Sequence, residues 1–467
     1  MDHRIEKDAL GETKVPADVY WGTHTQRALE NFTFGGAKVR LTLIHALAMV
    51  KKSAAMANRE LGALPGDIAG AIITACDEIR DGKFDTQFPV DALQGGAGTS
   101  TNMNLNEVIA NRAGELLGGR KGEYDLVHPL DHVNRHQSTN DVYPTALKCA
   151  AIAGIRSLAD AAALLQGSLQ RKEKEFSHII KVGRTEMQEA VPMTLGSEFS
   201  AWAEALSRDR WRTFKCEERL RVVNLGGTAI GTGIGAPRDY IFRVIECLRD
   251  ISGIGLSRGE NVAGETANAD AYVEVSGILK AHAVNLAKIS NDLRLLNFLG
   301  EIILPACQPG SSIMPGKVNP VIPEAITQAA LKVMANDLLV AEAASRSALQ
   351  INEFMPLLAQ ALLESIELLT ASDRMLALHI DGVKADEARC RYFVEHSRMV
   401  VTALVPLLGY DRAGALLKEF DASGRDDLRV FLEERVDRAI VARALSPEGL
   451  MALGHRRVED GKNEKRS

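Results

Sequence analysis

The longest regular pattern in the chain is a run of apolar positions between about residues 267 and 299, spaced at alternating steps of four and three. The positions are Val275, Leu279, His282, Leu286, Ile289, Leu293 and Leu296. A seam sustained over three repeats is typical of long helices that pack nearly parallel. It predicts a helix here, with His282 satisfied inside a bundle, because no second metal ligand follows at helical spacing.

Similar helical patterns cover residues 144–177, 196–223, 324–350 and 355–378. Before about residue 140 short helices alternate with turns, after residue 389 the helices shorten, and residues 461–467 have the composition of a frayed tail. We therefore predict an N-terminal mixed and helical domain at residues 1–140, a long central helical bundle at 141–389 and a small helical C-terminal domain at 390–467.

Length, composition and charge narrow the class of protein. A chain of 467 residues is too long for one ordinary core, and its 5% aromatic content favours helices over strands. A net charge of -6 gives no reason to expect a nucleic-acid partner. The first eight residues lack the apolar core of a signal peptide, and no stretch is expected to reach the length of a membrane span. Six widely spaced cysteines indicate neither a zinc site nor a disulfide framework, so a reducing cytoplasm is expected.

Four polar, glycine-containing segments interrupt the helical pattern, at residues 94–104, 132–141, 183–192 and 310–320. Each one alone has a structural interpretation as a helix cap or a turn. Together they offer small hydroxyl and amide donors, with Arg184 and Lys317 as cations. That shared chemistry favours binding of a small dicarboxylate.

A fifth segment, the glycine-rich run at residues 226–235, has the composition of a dinucleotide loop. Such a loop must follow a strand and open a helix. The residues before it, 210–223, are charged and predicted to be helical, so nucleotide binding is not favoured.

Residues 310–320 resemble the signature segment of the fumarase/aspartase superfamily, and the other three polar segments resemble its remaining active-site regions in the same order. The similarity extends over nearly the whole chain, from about residue 15 to residue 410. It implies an all-α, three-domain protomer, a homotetramer built on a central bundle, and reversible β-elimination that produces fumarate. It also implies that no organic cofactor is needed, and no metal site is expected.

The resemblance assigns roles to individual residues. Ser311 would be the base on a mobile loop, and Lys317 and Asn319 would hold the carboxylate that becomes dianionic. The expected substrate-binding residues are Thr99, Ser100, Ser138, Thr139, Asn140, Thr185, Glu186 and Ser312. Backbone N–H groups of the loop and the charge of Lys317 would lower the pKa of the serine hydroxyl.

Details of residues 95–100, 121–124, 131–134 and 190–193 resemble aspartases more than fumarases. The expected substrate is therefore L-aspartate, a small dicarboxylic amino acid, with ammonia as the leaving group. Two departures leave the specificity open. Glu186 occupies a position where relatives carry histidine or glutamine, and residues 295–305 lack the Gly-Pro-Arg segment usual before the serine loop.

The sequence allows two interpretations of Glu186: it contacts the leaving group of the substrate, or it forms an ion pair, for example with Arg184. Three alternatives to aspartate elimination also stay open. They are fumarate hydration, elimination from another amino- or N-substituted succinate, and a non-catalytic structural role. Intact Ser311, Lys317 and Asn319 argue against the last of these.

Helix length predicts how the sites are assembled. An unbroken helix over residues 144–177 would be roughly 50 Å long and would separate Thr139 from Thr185 within one chain. If both residues contact one small acid, they must come from different subunits.

Overall fold

The structure, a computed structural model, describes residues 2–446, 448 and 454. It is mostly helical, as predicted, and within the described residues four two-stranded sheets accompany the helices. The predicted tail at residues 461–467 and the end of the domain predicted at 390–467 lie outside the described residues.

The helices of the described chain are α1 (Thr23–Asn31), α2 (Leu41–Glu60), α3 (Gly66–Arg80), α4 (Thr99–Leu116), α5 (Thr139–Glu175), α6 (Leu195–Leu220), α7 (Arg238–Ser252), α8 (Val262–Ala267), α9 (Asp270–Leu299), α10 (Val321–Ser345), α11 (Met355–Asp381), α12 (Glu387–His396), α13 (Val405–Leu408), α14 (Tyr410–Ser423), α15 (Leu428–Arg435) and α16 (Arg438–Ala444). Tighter or wider helical turns occur at Asp85–Gln87, Pro129–Val133 and Arg398–Leu404.

The strands form pairs. They are β1 (His3–Asp8) with β2 (Gly11–Pro16), β3 (Ile180–Thr185) with β4 (Gln188–Thr194), β5 (Val222–Val223) with β6 (Ser257–Arg258), and β7 (Ile302–Ile303) with β8 (Lys384–Ala385). The β5–β6 pair is parallel and the other three are antiparallel.

The predicted long helices are confirmed as α5, α6, α9, α10 and α11. All seven seam positions of α9 are buried, which is why the sequence pattern was so regular. His282 is 1% exposed, and its Nδ1 lies 3.0 Å from Asp209 Oδ2, so the interpretation as a satisfied core histidine is confirmed.

Helix α5 begins earlier than predicted and continues through a proline. Pro144 has no N–H to donate to the carbonyl of Asn140. The buried side chain of Asn224 donates its Nδ2 to that carbonyl instead, at 2.9 Å. A tertiary hydrogen bond thus replaces the missing helical one, and the helix remains unbroken over 37 residues.

The expectation that no stretch reaches the length of a membrane span was wrong for α5, which is long and apolar enough by length and composition. Length and composition do not distinguish a spanning helix from a core helix, which also selects apolar residues. Half of the apolar window of α5 is buried inside the protein.

The strands were not predicted, and the hairpin of β3 and β4 replaces what looked like a polar loop. Its two-residue turn consists of Glu186 and Met187, both with positive φ. A turn of this kind is normally marked by asparagine and glycine, so this sequence carries no hairpin signal.

Contacts between Cα atoms divide the chain into two compact units. The described residues of unit 1 lie within Met1–Asp160, Asp209–Val284 and Ala329–Thr370, and those of unit 2 within Ala161–Arg208, Asn285–Gln328 and Ala371–Ser467. In unit 1, α2 packs against α3 and α7. In unit 2, Val182 and the helices after residue 390 form a hydrophobic core of their own. This division follows spatial contact, and the domain boundaries expected near residues 140 and 389 stay predictions.

Candidate active site

The first polar segment ends at the start of helix α4, in unit 1. Gly98 precedes the helix with φ 92°, and a Cβ there would lie 2.5 Å from the ring of Tyr143. Only glycine fits this left-handed conformation and close approach. The backbone therefore turns tightly against Tyr143, which places Thr99 and Ser100 in the first turn of α4.

The second polar segment ends at the start of helix α5, also in unit 1. The carboxylate of Asp141 is fully buried there and accepts a hydrogen bond from the Ser138 N–H at 3.0 Å. Its other oxygen accepts from the N–H groups of Gly226 at 3.1 Å and Thr228 at 3.0 Å. One side chain therefore ties the start of α5 to the glycine-rich run.

A cavity of about 430 Å³ lies between these segments within unit 1. Its lining residues are Thr99, Asn102, Met103, Leu130, Asn134, His136, Gln137, Ser138, Thr139, Thr228, Ala229, Ile234 and Gly235. Two of the four polar segments thus meet around one cavity.

Three of the five site residues expected in unit 1 line this cavity: Thr99, Ser138 and Thr139. Ser100 is buried in the first turn of α4, without lining the cavity. Asn140 donates its Nδ2 to the carbonyl of Ala229 at 2.7 Å, so its amide supports the cavity wall.

Sequence reasoning missed Asn102, Asn134 and Thr228 among the lining residues. The two asparagines lie in polar segments already singled out, so the signal was present and only the choice of residues was incomplete. Thr228 belongs to the glycine-rich run, which was set aside because a helix was expected up to residue 223. The helix ends at Leu220, and β5 precedes the run.

The hydroxyl groups in the cavity act as acceptors toward the protein. Ser138 Oγ accepts from the Asn140 N–H at 3.2 Å, and Thr139 Oγ1 accepts from Asn102 Nδ2 at 3.2 Å. A hydroxyl has a single proton, and an oxygen that accepts from the protein keeps that proton free to donate elsewhere. The cavity can therefore present O–H donors to an anion.

A buried cation and a buried anion lie behind the cavity. Burial lowers the pKa of Lys51 to about 7 and raises the pKa of Asp141 to about 7, and attraction between the two charges opposes both shifts. Each group has hydrogen-bond partners, so neither is a buried charge without compensation.

The third polar segment forms the tip of the β3–β4 hairpin, in unit 2. Thr185 and Glu186 are exposed there. Arg184 pairs with the fully buried Glu301 at 2.7 Å, as does Lys181 at 2.9 Å. The ion pair of Arg184 with Glu186 that the sequence left open is not formed, and Nη1 of the guanidinium contacts Glu301 instead. These pairs anchor the hairpin and leave its tip accessible.

The fourth polar segment is a compact loop in unit 2. The Gly310 N–H donates to the Lys317 carbonyl at 2.7 Å, and Asn319 Nδ2 donates to the Gly310 carbonyl at 2.9 Å. A Cβ on Gly310 would lie 2.9 Å from the Lys317 carbonyl oxygen, so glycine is required for this closure. Ser312 and Lys317 are exposed on the loop.

Ser311 Oγ accepts hydrogen bonds from two backbone N–H groups of this loop, Met314 at 2.9 Å and Ile313 at 3.1 Å. The bonds close a turn, and they also place two dipoles where negative charge on the oxygen would be stabilised. The expectation that backbone N–H groups of the loop point at this hydroxyl agrees with these two hydrogen bonds. The roles assigned to Ser311, Lys317 and Asn319 stay predictions.

No group of three or more histidine, cysteine, aspartate or glutamate side chains is arranged to hold a metal ion in the part of the chain that the structure describes. The polar groups of the cavity are mainly hydroxyls and amides, which suit an organic anion.

Comparison with known proteins gives a consistent result along the chain. Residues 11–335 match the family model described as lyase. The chain is 48% identical to the aspartate ammonia-lyase of Pseudomonas aeruginosa, over 96% of this chain and 97% of that protein. It is 45% identical to the aspartate ammonia-lyase of Escherichia coli, over 92% of each.

Solved structures share the fold. A fumarate lyase:delta crystallin from Brucella melitensis, bound to cobalt, is 46% identical with a TM-score of 0.92, covering 97% of this chain and all of that one. A class II fumarase from Schistosoma mansoni is 33% identical with a TM-score of 0.89, covering 96% of this chain and 99% of that one.

Proposed function

The chain belongs to the lyase family within the fumarase/aspartase superfamily, and from that membership we propose that it is an aspartate ammonia-lyase, which eliminates ammonia from L-aspartate to give fumarate. The observation that carries the proposal is its identity of 44–48% to curated aspartate ammonia-lyases over at least 91% of the chain. The enzyme is thus a carbon–nitrogen lyase.

The reaction sets two demands on the site. A weakly acidic proton must leave the carbon beside the β-carboxylate, so negative charge grows on that carboxylate in the transition state. Rate acceleration requires a base at that proton and fixed donors where the new charge appears.

Ser311 supplies the base in this proposal. Each unit by which its pKa falls requires about 1.4 kcal/mol of preferential stabilisation of the alkoxide. The N–H groups of Ile313 and Met314, both aimed at Oγ, support this role. The exposed ammonium of Lys317 on the same loop would add positive charge near the dianionic carboxylate.

The remaining donors surround the rest of the substrate. The cavity in unit 1 is lined by Thr99, Ser138 and Thr139. The hydroxyls of Ser138 and Thr139 accept from the protein, so their protons are free for carboxylate oxygens. Fixed hydroxyl donors reorient little during the reaction, which is the property that electrostatic stabilisation requires.

A second candidate is fumarate hydratase, in which water takes the place of ammonia. The 33% identity to the class II fumarase supports it, against 48% to the aspartate ammonia-lyase of Pseudomonas aeruginosa.

In this proposal the exposed carboxylate of Glu186 determines which leaving group the site prefers. An ionised carboxylate near the leaving group attracts an ammonium ion more strongly than it does a neutral hydroxyl. The same carboxylate would also suit a longer amine, so other aminosuccinates belong in the test.

We also propose a three-domain protomer, a homotetramer and a cytoplasmic location. Large apolar side chains are exposed on the long helices, where an assembly would cover them: Trp211, Phe214, Leu331, Leu338 and Leu378. The separate core after residue 390 supports a small C-terminal domain. All six cysteines are free, which is usual in a reducing compartment.

Chain geometry supports active sites shared between subunits. Helix α5 carries the backbone on the order of 54 Å from Thr139 to Glu175. The ten residues from there to Thr185 can return at most about 36 Å if fully extended. The length of the helix thus supports the proposal that the Thr139 and the Thr185 of one site come from different subunits.

The function is tested first with a substrate panel. We expect the wild-type protein to form fumarate from L-aspartate, followed by ultraviolet absorbance, and to do so with a higher kcat/KM than from malate or from N-substituted aspartates. A preference for malate would favour the hydratase, and turnover of only the larger aminosuccinates would replace aspartate as the substrate.

Replacing the base should remove the chemical step and leave the protein folded. Ser311→Ala is expected to lower kcat for aspartate by about 10²–10⁴-fold, with an unchanged tetramer by size-exclusion chromatography. The exposed Ser257→Ala on β6 is the matched control and should keep normal turnover. Near-normal turnover in Ser311→Ala would disprove this base, and Ser312→Ala would be measured next.

Removing the charge of Glu186 should weaken discrimination between leaving groups. In Glu186→Gln we expect the ratio of kcat/KM for aspartate to that for malate to fall by on the order of tenfold. Glu12→Gln, which removes an exposed carboxylate on β2, should leave the ratio as in wild type. An unchanged ratio in Glu186→Gln would place this side chain away from the leaving group.

Shared sites are tested by mixing two inactive variants. Thr139→Val and Thr185→Val each remove one proposed substrate-binding hydroxyl from every site. After unfolding and reassembly of an equal mixture, random association restores both threonines in about a quarter of the sites if they come from different subunits. Each variant reassembled alone is the control, and mixed tetramers without recovered activity would show that both threonines come from one chain.

A further inference from the structure

Lys51 lies directly behind the cavity, and none of the roles described above uses it. It belongs to helix α2, and its side chain is completely buried. Its Nζ donates a hydrogen bond to Oδ1 of Asn134 at 2.8 Å, and Asn134 lines the cavity. A lysine without solvent contact is costly, so its position calls for a physical reason.

Attraction to the Asp141 carboxylate favours the ammonium form of Lys51, and an ammonium group can only donate hydrogen bonds. Lys51 therefore determines which end of the Asn134 amide faces it: the oxygen. That same oxygen accepts from Asn102 Nδ2 at 3.3 Å and from Asn106 Nδ2 at 3.2 Å, whereas Asn134 Nδ2 donates to the Gln137 carbonyl at 3.2 Å. Lys51 at the oxygen and the Gln137 carbonyl at the amino group thus orient the Asn134 amide together, and its oxygen in turn orients Asn102 and Asn106.

The orientation of the Asn102 amide in turn sets the hydrogen-bonding role of the Thr139 hydroxyl. Since the amino group of Asn102 is turned toward Asn134, it also donates to Thr139 Oγ1, at 3.2 Å. The Oδ1 atoms of Asn102 and Asn106 are buried without a protein partner among the described residues, so no competing contact holds these amides the other way. Thr139 Oγ1 is consequently an acceptor on the protein side, and its proton is free to face the cavity.

We propose that Lys51 is a positioning residue that, through Asn134 and Asn102, makes the Thr139 hydroxyl a donor toward a substrate carboxylate. The proposal rests on the proposed function, because it requires a dicarboxylate in the cavity. Reversal of the amides would turn Thr139 into a donor toward Asn102, and its oxygen lone pairs would then face an anion.

The test measures dicarboxylate binding in the intact enzyme with succinate, which has no leaving group. In Lys51→Met, a neutral side chain of similar length, we expect the dissociation constant of succinate from titration calorimetry to rise about tenfold or more. The matched control is the neighbouring Lys52→Met. Lys52 pairs with Asp77 at 2.7 Å, and its substitution should leave the succinate constant unchanged.

A double-mutant cycle separates positioning from general structural support. If Lys51 acts through the Thr139 hydroxyl, its substitution should change the succinate constant by less than about threefold in a Thr139→Val background. A purely structural lysine would instead weaken binding by the same factor in both backgrounds, and that result would overturn the proposal.

A second variant covers the case in which Lys51→Met does not assemble. Asn102→Ala leaves the buried lysine in place and removes the donor to Thr139. It should weaken succinate binding in the wild-type background and not in Thr139→Val. If Asn102→Ala binds succinate as tightly as wild type, the proposed series of amide contacts is wrong. The proposed elimination from aspartate is not affected by that result. A wild-type enzyme that neither turns over aspartate nor binds succinate would overturn the proposed function and, with it, the role of Lys51.

Discussion

The buried carboxylate of Asp141 is the contact on which the geometry of the unit 1 cavity depends. One of its oxygens holds the N–H of Ser138 at the start of α5, and the other holds the N–H groups of Gly226 and Thr228. Residues of both backbone segments line the cavity, among them Ser138 and Thr228. A single ionisable side chain therefore fixes the relative position of the hydroxyl-bearing helix start and the glycine-rich run, and buried hydrogen bonds of this kind are costly to break.

A buried side-chain amide, that of Asn224, keeps the longest helix intact. Pro144 would ordinarily interrupt α5, yet Asn224 supplies the hydrogen bond that proline cannot. Continuity has a consequence well beyond the proline, because α5 stays a single helix of 37 residues. A local repair of the backbone thus underlies the proposal that neighbouring subunits complete each site.

Hydroxyl groups in both units follow one physical pattern. Ser311 in the loop of unit 2, and Ser138 and Thr139 in unit 1, each use the oxygen to accept from a protein N–H. In the cavity this leaves the hydroxyl proton free to donate to an anion, and in the loop it directs N–H dipoles at the oxygen to which we assign the base role. The protein N–H groups around each hydroxyl therefore set which of its hydrogen-bonding roles stays available.

The sequence by itself determined the helical class, the long helices and the family. A seam such as that of α9 is local and periodic, and the signature at residues 310–320 is long enough to be specific. It also marked the polar segments, although it omitted Asn102, Asn134 and Thr228 from the predicted site. Only the tertiary structure decided that Arg184 pairs with Glu301, that residues 180–194 form a hairpin, and that Lys51 lies behind the cavity. Those outcomes depend on partners distant in the chain, and periodicity or motif spacing carries no information about which distant groups will meet in space.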